Sequence, residues 1–367
     1  MRRVVVLAVL AAGVGLAASG GDDDAQRRAV VAWVAAHRPS IVAELEAFLS
    51  LPNVSSDGDA LRVNAAHLVG LLEKRGIEAR IVETAGRPYV FGHLGAEDSK
   101  KSRPPVVLFY AHFDGQPVDP ARWSVTEPFD PVLRGEIADP EARLFARSAS
   151  DDKGPIVALM AAIDALRGAG IPPTVEAKFL FDPEEEIGSP QIAELIAGHA
   201  DLLAADLMIF ADGPVHQSGR PTVVFGTRGI VTLTLTVYGP VRPLHSGHYG
   251  NWAPNPAEKL ARLLASMSDP SGRVLVEGFY DDVLPLSESE RAALARIPRV
   301  EEALMDDLLV GRPEGDGLTL QELINLPSLN VRGMASGWVG EEARTIVPAT
   351  ATAEIDLRLV KGIEPQA

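Results

Sequence analysis

Between residues 77 and 212 short apolar runs alternate with helical patterns, and no other feature of the chain restricts its fold as much. IEARIVE (77–83), YVFGHL (89–94), PVVLFYAH (105–112), VEAKFLF (175–181) and DLMIFAD (206–212) have the length and the β-branched or aromatic content of strands. GPIVALMAAIDALRGAG (154–170) and PQIAELIAGHA (190–200) carry apolar residues at helical spacing, the first with a glycine stop. Such alternation predicts an α/β domain, in which helices flank a mixed, mostly parallel sheet. Two helices precede it. One covers residues 25–50, with Val30, Val34, Ile41, Leu45 and Leu49 in register and an expected break around Pro39. The other runs from about Asp59 to Lys74 and stops at Gly76.

The pattern changes near Gly226. GIVTLTLTVYG (229–239) alternates strictly, as a half-exposed strand does, and NPAEKLARLLASM (255–267) is helical. A charged stretch at 277–325 reads as irregular. SLNVRGM (328–334) and TATAEIDLRLV (350–360) are strands again, and Pro365 reads as a helix start. Two domains are expected, residues 21–226 and an α+β domain over 227–367.

The chain has 34 Lys and Arg against 50 Asp and Glu, a net charge of −16, which argues against a nucleic-acid surface. It has no cysteine, so any metal must be held by His, Asp and Glu. Arg2 and Arg3 precede an apolar run (4–18) and the small residues Ala17, Ser19 and Gly20, so residues 1–20 read as a signal peptide. The run is shorter than the roughly 20 residues that span a bilayer. An exported protein, periplasmic or secreted, with no stable membrane span is expected.

Four acidic or imidazole patches follow one another at element boundaries: YAHFDG (110–115), SASDDKG (148–154), DPEEEIGS (182–189) and FADGP (210–214). Ligands of open α/β sheets bind outside the carboxyl ends of the strands, where three of these patches lie. Each patch has a plainer reading. His112 and Asp114, two apart, fall on one side of an extended chain and are equally a solvated pair. Asp151 and Asp152 stand where carboxylates cap a helix. Glu184, Glu185 and Glu186 suit a solvated loop, and Asp212-Gly213 a turn. In series they read differently. A carboxylate before the helix can bridge two metals, and of two adjacent glutamates one can bind metal while the other stays free as a general base.

The order H-x-D, D-D-K-G, E-E-x-G-S, A-D-G resembles the two-zinc peptidases and amidohydrolases of metallopeptidase family twenty, the group of carnosinase-type dipeptidases, glutamate carboxypeptidase and acetylornithine deacetylase. The likeness continues in PLHSGHYG (243–250), NLPSLNVRG (325–333) and RTIVPATATAEIDLRLV (344–360). It implies a zinc-peptidase catalytic domain carrying an inserted lid and dimerisation domain, a homodimer joined through that lid, and two Zn2+ per subunit, with Co2+ or Mn2+ as substitutes. His112 and Asp212 would hold one zinc and Glu186 the other. Asp151 would bridge them, often with a cis peptide after it. Glu185 would be the general base and Asp114 would orient His112. His245 would support the oxyanion in the partner subunit's site, and Thr345 and Arg358 would contact substrate, Arg358 through a carboxylate.

The HSGHYGN motif and the long 277–325 segment favour dipeptides or small peptides as substrates; N-acyl amino acids are the alternative. The chain departs from the pattern at Ala146-Arg147-Ser148, where G-R-G is usual, and at Pro183-Glu184, where Glu-Gly is usual. The last histidine is His248, whereas the family draws a further zinc ligand from a later segment. A chain truncated at its C-terminus is therefore expected, with both domains incomplete. The corresponding alternative is a non-catalytic fragment.

Overall fold

The computed structural model describes residues 22–97, 103–139, 141–213, 215–220 and 222–365. The expected signal peptide lies outside them. The chain separates into two compact units, one over Arg2–Thr222 and one over Val223–Ala367.

In the first unit α1 (Asp22–Leu49) and α2 (Gly58–Glu73) lead into a hairpin of β1 (Glu78–Thr84) and β2 (Arg87–Leu94). Then come β3 (Val106–His112), a small hairpin of β4 (Val132–Arg134) and β5 (Arg143–Phe145), and α3 (Lys153–Gly168). The unit continues with β6 (Glu176–Asp182), α4 (Ile192–Gly198), α5 (Ala200–Leu203) and β7 (Leu207–Phe210). The main sheet has the order β1-β2-β6-β3-β7. β3 runs parallel to β6 and β7, and β2 is antiparallel to β1 and β6, so four of the five strands point the same way.

All seven residues of β3 are buried. One face of the sheet packs Phe109, Phe179 and Phe181 under α2 and α3, with Leu68, Leu72, Ile156 and Met160. The other packs Phe91, Leu108, Tyr110 and Leu180 against Leu195 and Leu202 of α4 and α5. Burial on both faces explains why these strands read as continuous apolar runs. The parallel register sets His112 beside Asp182 and Tyr110 beside Phe210, which brings three of the four patches to one end of the sheet.

α1 is not broken at Pro39; it runs through it. The proline is exposed, so its ring meets no packed neighbour, and only one N–H is missing from the ladder. Arg38 Nη1 donates to the Ala138 carbonyl (3.0 Å), Ser40 Oγ donates to the His37 carbonyl (2.8 Å), and α1 packs along α3.

In the second unit β8 (Gly229–Tyr238), β10 (Ser328–Ala335) and β12 (Thr350–Leu359) form an antiparallel sheet in the order β10-β12-β8. Between β8 and β10 the chain forms β9 (Leu244–His245), α6 (Ser246–Tyr249) and α7 (Pro256–Ala265). α7 covers one sheet face through Leu260, Ala351 and Ala353. The other face is polar, with Thr234 Oγ1 donating to Glu354 at 3.1 Å. β9 pairs with β11 (Ile346–Val347). The stretch 277–325 is not irregular throughout, for it holds α8 (Glu288–Leu294), α9 (Glu301–Leu308) and α10 (Leu320–Leu323). Two of these start in capping boxes, Ser287 with Glu290 and Thr319 with Glu322, each joining two backbone donors to a side chain. Past Leu359 the described chain forms turns as far as Pro365, and the helix expected to start there lies outside the described residues.

Candidate metal centre

His112 ends the buried central strand, and its ring is gripped from both sides. Nδ1 lies 3.1 Å from Asp114 Oδ1 and Nε2 lies 2.9 Å from Asp151 Oδ1. Glu185 Oε2 and Asp212 Oδ2 stand 3.8 and 4.0 Å from the same Nε2. Asp114 is fully buried and also accepts from Ser55 Oγ (2.8 Å) and from the backbone N–H groups of Glu185 and Glu186 (3.1 Å each). One carboxylate thus joins the end of β3 to the turn that carries both glutamates.

The loop before α3 is held just as firmly. The Asp151–Asp152 peptide is cis, the form that the resemblance implied. Asp152 does not cap the helix; its Oδ2 accepts from the His112 N–H at 3.1 Å. Lys153 is fully buried, and its Nζ donates to the carbonyls of Phe48 (2.9 Å) and Leu51 (2.8 Å) at the end of α1. Gly154 sits so close to the loop that a Cβ would meet the Ala149 carbonyl at 2.2 Å. Asp151 itself is left facing outward, with 66% of its side chain exposed.

The three adjacent glutamates take three environments. Glu184 is buried and pairs with Arg87 Nε at 2.7 Å. Glu185 faces His112. Glu186 accepts from Gln116 Nε2 at 2.7 Å. Behind them Asp182 braces the turn, accepting from Tyr110 Oη (3.0 Å), Ser189 Oγ (2.7 Å) and the Glu184 N–H (2.8 Å).

His112, Asp151 and Asp212 each offer a donor atom within 4.8 Å of the others, the spacing of a metal site. Glu186 stands outside this group. The electrostatics call for a cation. Desolvation opposes charge on the His112 imidazole, yet Asp114, Asp151 and Asp152 outweigh it and push its pKa up to about 11. Burial, against the pull of His112, raises Asp152 to about 9 and raises Asp212 and Glu185 above the usual carboxylate range. The proton on His112 therefore neutralises carboxylates that a divalent ion would neutralise better. An imidazole, two carboxylates and a carboxylate behind the imidazole suit zinc, and the donor set fits the ion.

In the second unit His245 ends β9, Thr345 precedes β11 and Arg358 lies in β12 opposite Ser328. The Thr345 carbonyl accepts the Ser246 N–H at 3.1 Å. Several supporting residues escaped the sequence reading: Ser55, Arg87, Gln116, Lys153 and Asp182. Asp182 and Lys153 stood inside quoted patches, where their burial was the missing signal.

The chain is 29% identical over 348 residues to the Cys-Gly metallodipeptidase dug1 of Schizosaccharomyces pombe, covering 90% of this chain and 71% of that one. It is 29% identical over 292 residues to the human Beta-Ala-His dipeptidase, covering 76% of this chain but only 54% of that one. Among solved structures it is similar to an M20 family metallo-carboxypeptidase from Sulfolobus solfataricus, with a TM-score of 0.72 and 32% identity, covering 89% of this chain and 72% of that one. The Peptidase family M20/M25/M40 matches residues 108–364, a span that takes in all four patches and extends over parts of both units. The chain belongs to peptidase family M20/M25/M40.

Proposed function

We propose that this protein is an exported two-zinc metallopeptidase that hydrolyses the amide bond of dipeptides or small peptides. The observation that carries the reading is Glu185 standing 3.8 Å from the imidazole that shares a donor cluster with Asp151 and Asp212. The named activities of the similar proteins, two dipeptidases and a carboxypeptidase, support small peptides as substrates.

His112, Asp151 and Asp212 would hold one metal, and Asp151 with Glu186 would contribute to a second. Bound zinc supplies Lewis acidity and lowers the pKa of water. Glu185 takes a proton from the attacking water on a carboxylate oxygen and returns it to the leaving amine nitrogen. Desolvation raises its pKa, the direction that favours accepting a proton. Asp114 holds the His112 ring and, through two N–H groups, the backbone that carries Glu185. His245 would donate to the carbonyl oxygen as charge develops there. Arg358 and Thr345 would contact the substrate, Arg358 through the free carboxylate of the peptide. The second unit would mediate a homodimer.

The test is a panel of dipeptides, Cys-Gly and β-Ala-His among them, against N-acetyl amino acids, using zinc-loaded protein. Dipeptide cleavage that vanishes in Glu185→Gln is expected. Cleavage of the acyl compounds alone would overturn the peptidase assignment. Export is tested by fusing residues 1–24 to a reporter that is active only outside the cytoplasm.

A further inference from the structure

The segment after β9 carries a run of rings. His245 and His248 stack with centroids 4.7 Å apart and planes 27° from parallel. His248 meets Tyr249 edge-on at 6.4 Å, and Tyr249 meets Trp252 at 6.1 Å. These residues are mostly exposed, so no core packing accounts for the alignment.

His245 is tethered at a second point. Its Nδ1 accepts the Gly247 N–H at 3.0 Å. Room for that contact depends on the glycine, because a Cβ at 247 would lie 3.0 Å from Cε1 and 3.1 Å from Nδ1 of the ring. The backbone under it is fixed as well, through the pairing of His245 with Ile346 and the Ser246 N–H bond to the Thr345 carbonyl. An Nδ1 that accepts an amide proton carries none of its own. The neutral ring must then keep its proton on Nε2, and that atom is a donor only.

We propose that His248 is a positioning residue that holds His245 by ring stacking in the Nε2–H tautomer, so that Nε2–H is presented as a hydrogen-bond donor to a substrate carbonyl oxygen. The Gly247 amide selects the tautomer, and the His248 ring fixes the rotation about the Cβ–Cγ bond that aims the donor. Either tether alone leaves the other degree of freedom open. A ring free to turn would lose its acceptor contact and exchange tautomers. The donor's target rests on the peptidase reading above; the tautomer and its dependence on His248 do not.

Two readouts separate these parts. Long-range 1H–15N spectra of the full chain labelled with 15N-histidine, assigned with His245→Gln, report the tautomer directly. The expected result is a single Nε2–H form for His245, a mixture of tautomers in His248→Ala, and recovery in His248→Phe, which keeps a flat ring. A mixture in the parent chain, or an unchanged His245 in His248→Ala, overturns the positioning role. In the hydrolysis assay His248→Ala should lower kcat about tenfold with little change in KM, and His248→Phe should restore it. A tautomer that shifts while hydrolysis holds supports the positioning by His248 and overturns the part given to His245 in the reaction. Circular dichroism of both variants establishes that they fold.

Discussion

Asp114 Oδ1 lies 3.1 Å from His112 Nδ1, with both side chains sealed from solvent. The same carboxylate accepts the N–H groups of Glu185 and Glu186, so it sets the imidazole and the glutamate turn in one frame. Asp114→Asn would turn an amide donor toward one of these donors. Its zinc affinity should fall about 10–100-fold, the usual cost of losing a carboxylate behind a metal-binding histidine. Chelator competition measures it. An affinity equal to that of the parent chain would exclude the orienting role.

The metal-free centre should weaken as pH rises. His112 has a folded pKa of about 11 against roughly 6.5 unfolded, so its stabilising contribution is complete below about 6.5 and is lost as pH climbs toward 11. Asp152, raised to about 9, acts in the same direction from about 4 upward, because the folded state again holds the extra proton. Lys153, pushed down to about 6 by burial, works the opposite way but is common to both forms of the protein. The informative quantity is therefore the difference between zinc-loaded and EDTA-treated protein. Melting curves at pH 6, 7.5 and 9 should show that gap widening with pH, since zinc displaces the proton of His112. A gap that narrows would contradict the protonated imidazole.

Much of this arrangement was legible in the sequence because the strands are short, apolar and end at their chemistry. His112 and Asp212 follow apolar runs of strand length, the first buried throughout and the second largely exposed at the sheet edge, and parallel pairing of β3 with β6 and β7 then carries them together. The supporting residues were less legible. Asp182 finds its partners in Tyr110, seventy-two positions away, and in Ser189 beyond the turn, and no local pattern announces either. Lys153 is buried by α1, whose end lies more than a hundred positions away, and no local pattern marks that burial. Pro39 was misleading for the converse reason: packing on α3 sustains a helix that local propensity would interrupt. The capping boxes at Ser287 and Thr319 were present as S-x-x-E and T-x-x-E, but within a stretch whose charge suggested disorder of pattern.

Lys153 should prove structural. Lys153→Met keeps the apolar stem but strips the donors from the Phe48 and Leu51 carbonyls, at about 1–3 kcal/mol for each buried acceptor left without a partner. Removing a buried amine recovers part of that, so a net loss of about 2 kcal/mol is expected in urea unfolding. The loss should grow from pH 6 to pH 9. A folded pKa near 6, well below the roughly 10.4 of an unfolded lysine, means that the parent chain gains stability over that range and the variant does not.

The three consecutive glutamates should separate into three phenotypes, because each carboxylate meets a different partner. Glu184 is 1% exposed and bound to Arg87, so it serves the fold. Arg87→Ala leaves that carboxylate buried and unpaired and should destabilise the protein by about 3 kcal/mol. Glu184→Gln, which removes the charge with the shape kept, should cost less and leave zinc binding intact. Glu185 faces the donor cluster, 3.8 Å from His112 Nε2. Glu185→Gln should retain zinc and stability and lose turnover by at least about a hundredfold. Glu186 is tied to Gln116 at 2.7 Å outside the cluster of three donors. Glu186→Gln should therefore spare the zinc held by His112 and Asp212 while reducing occupancy of the second. Metal analysis by mass spectrometry, read beside unfolding curves and dipeptide hydrolysis, distinguishes the three. A loss of all zinc in Glu185→Gln would move that residue from base to ligand.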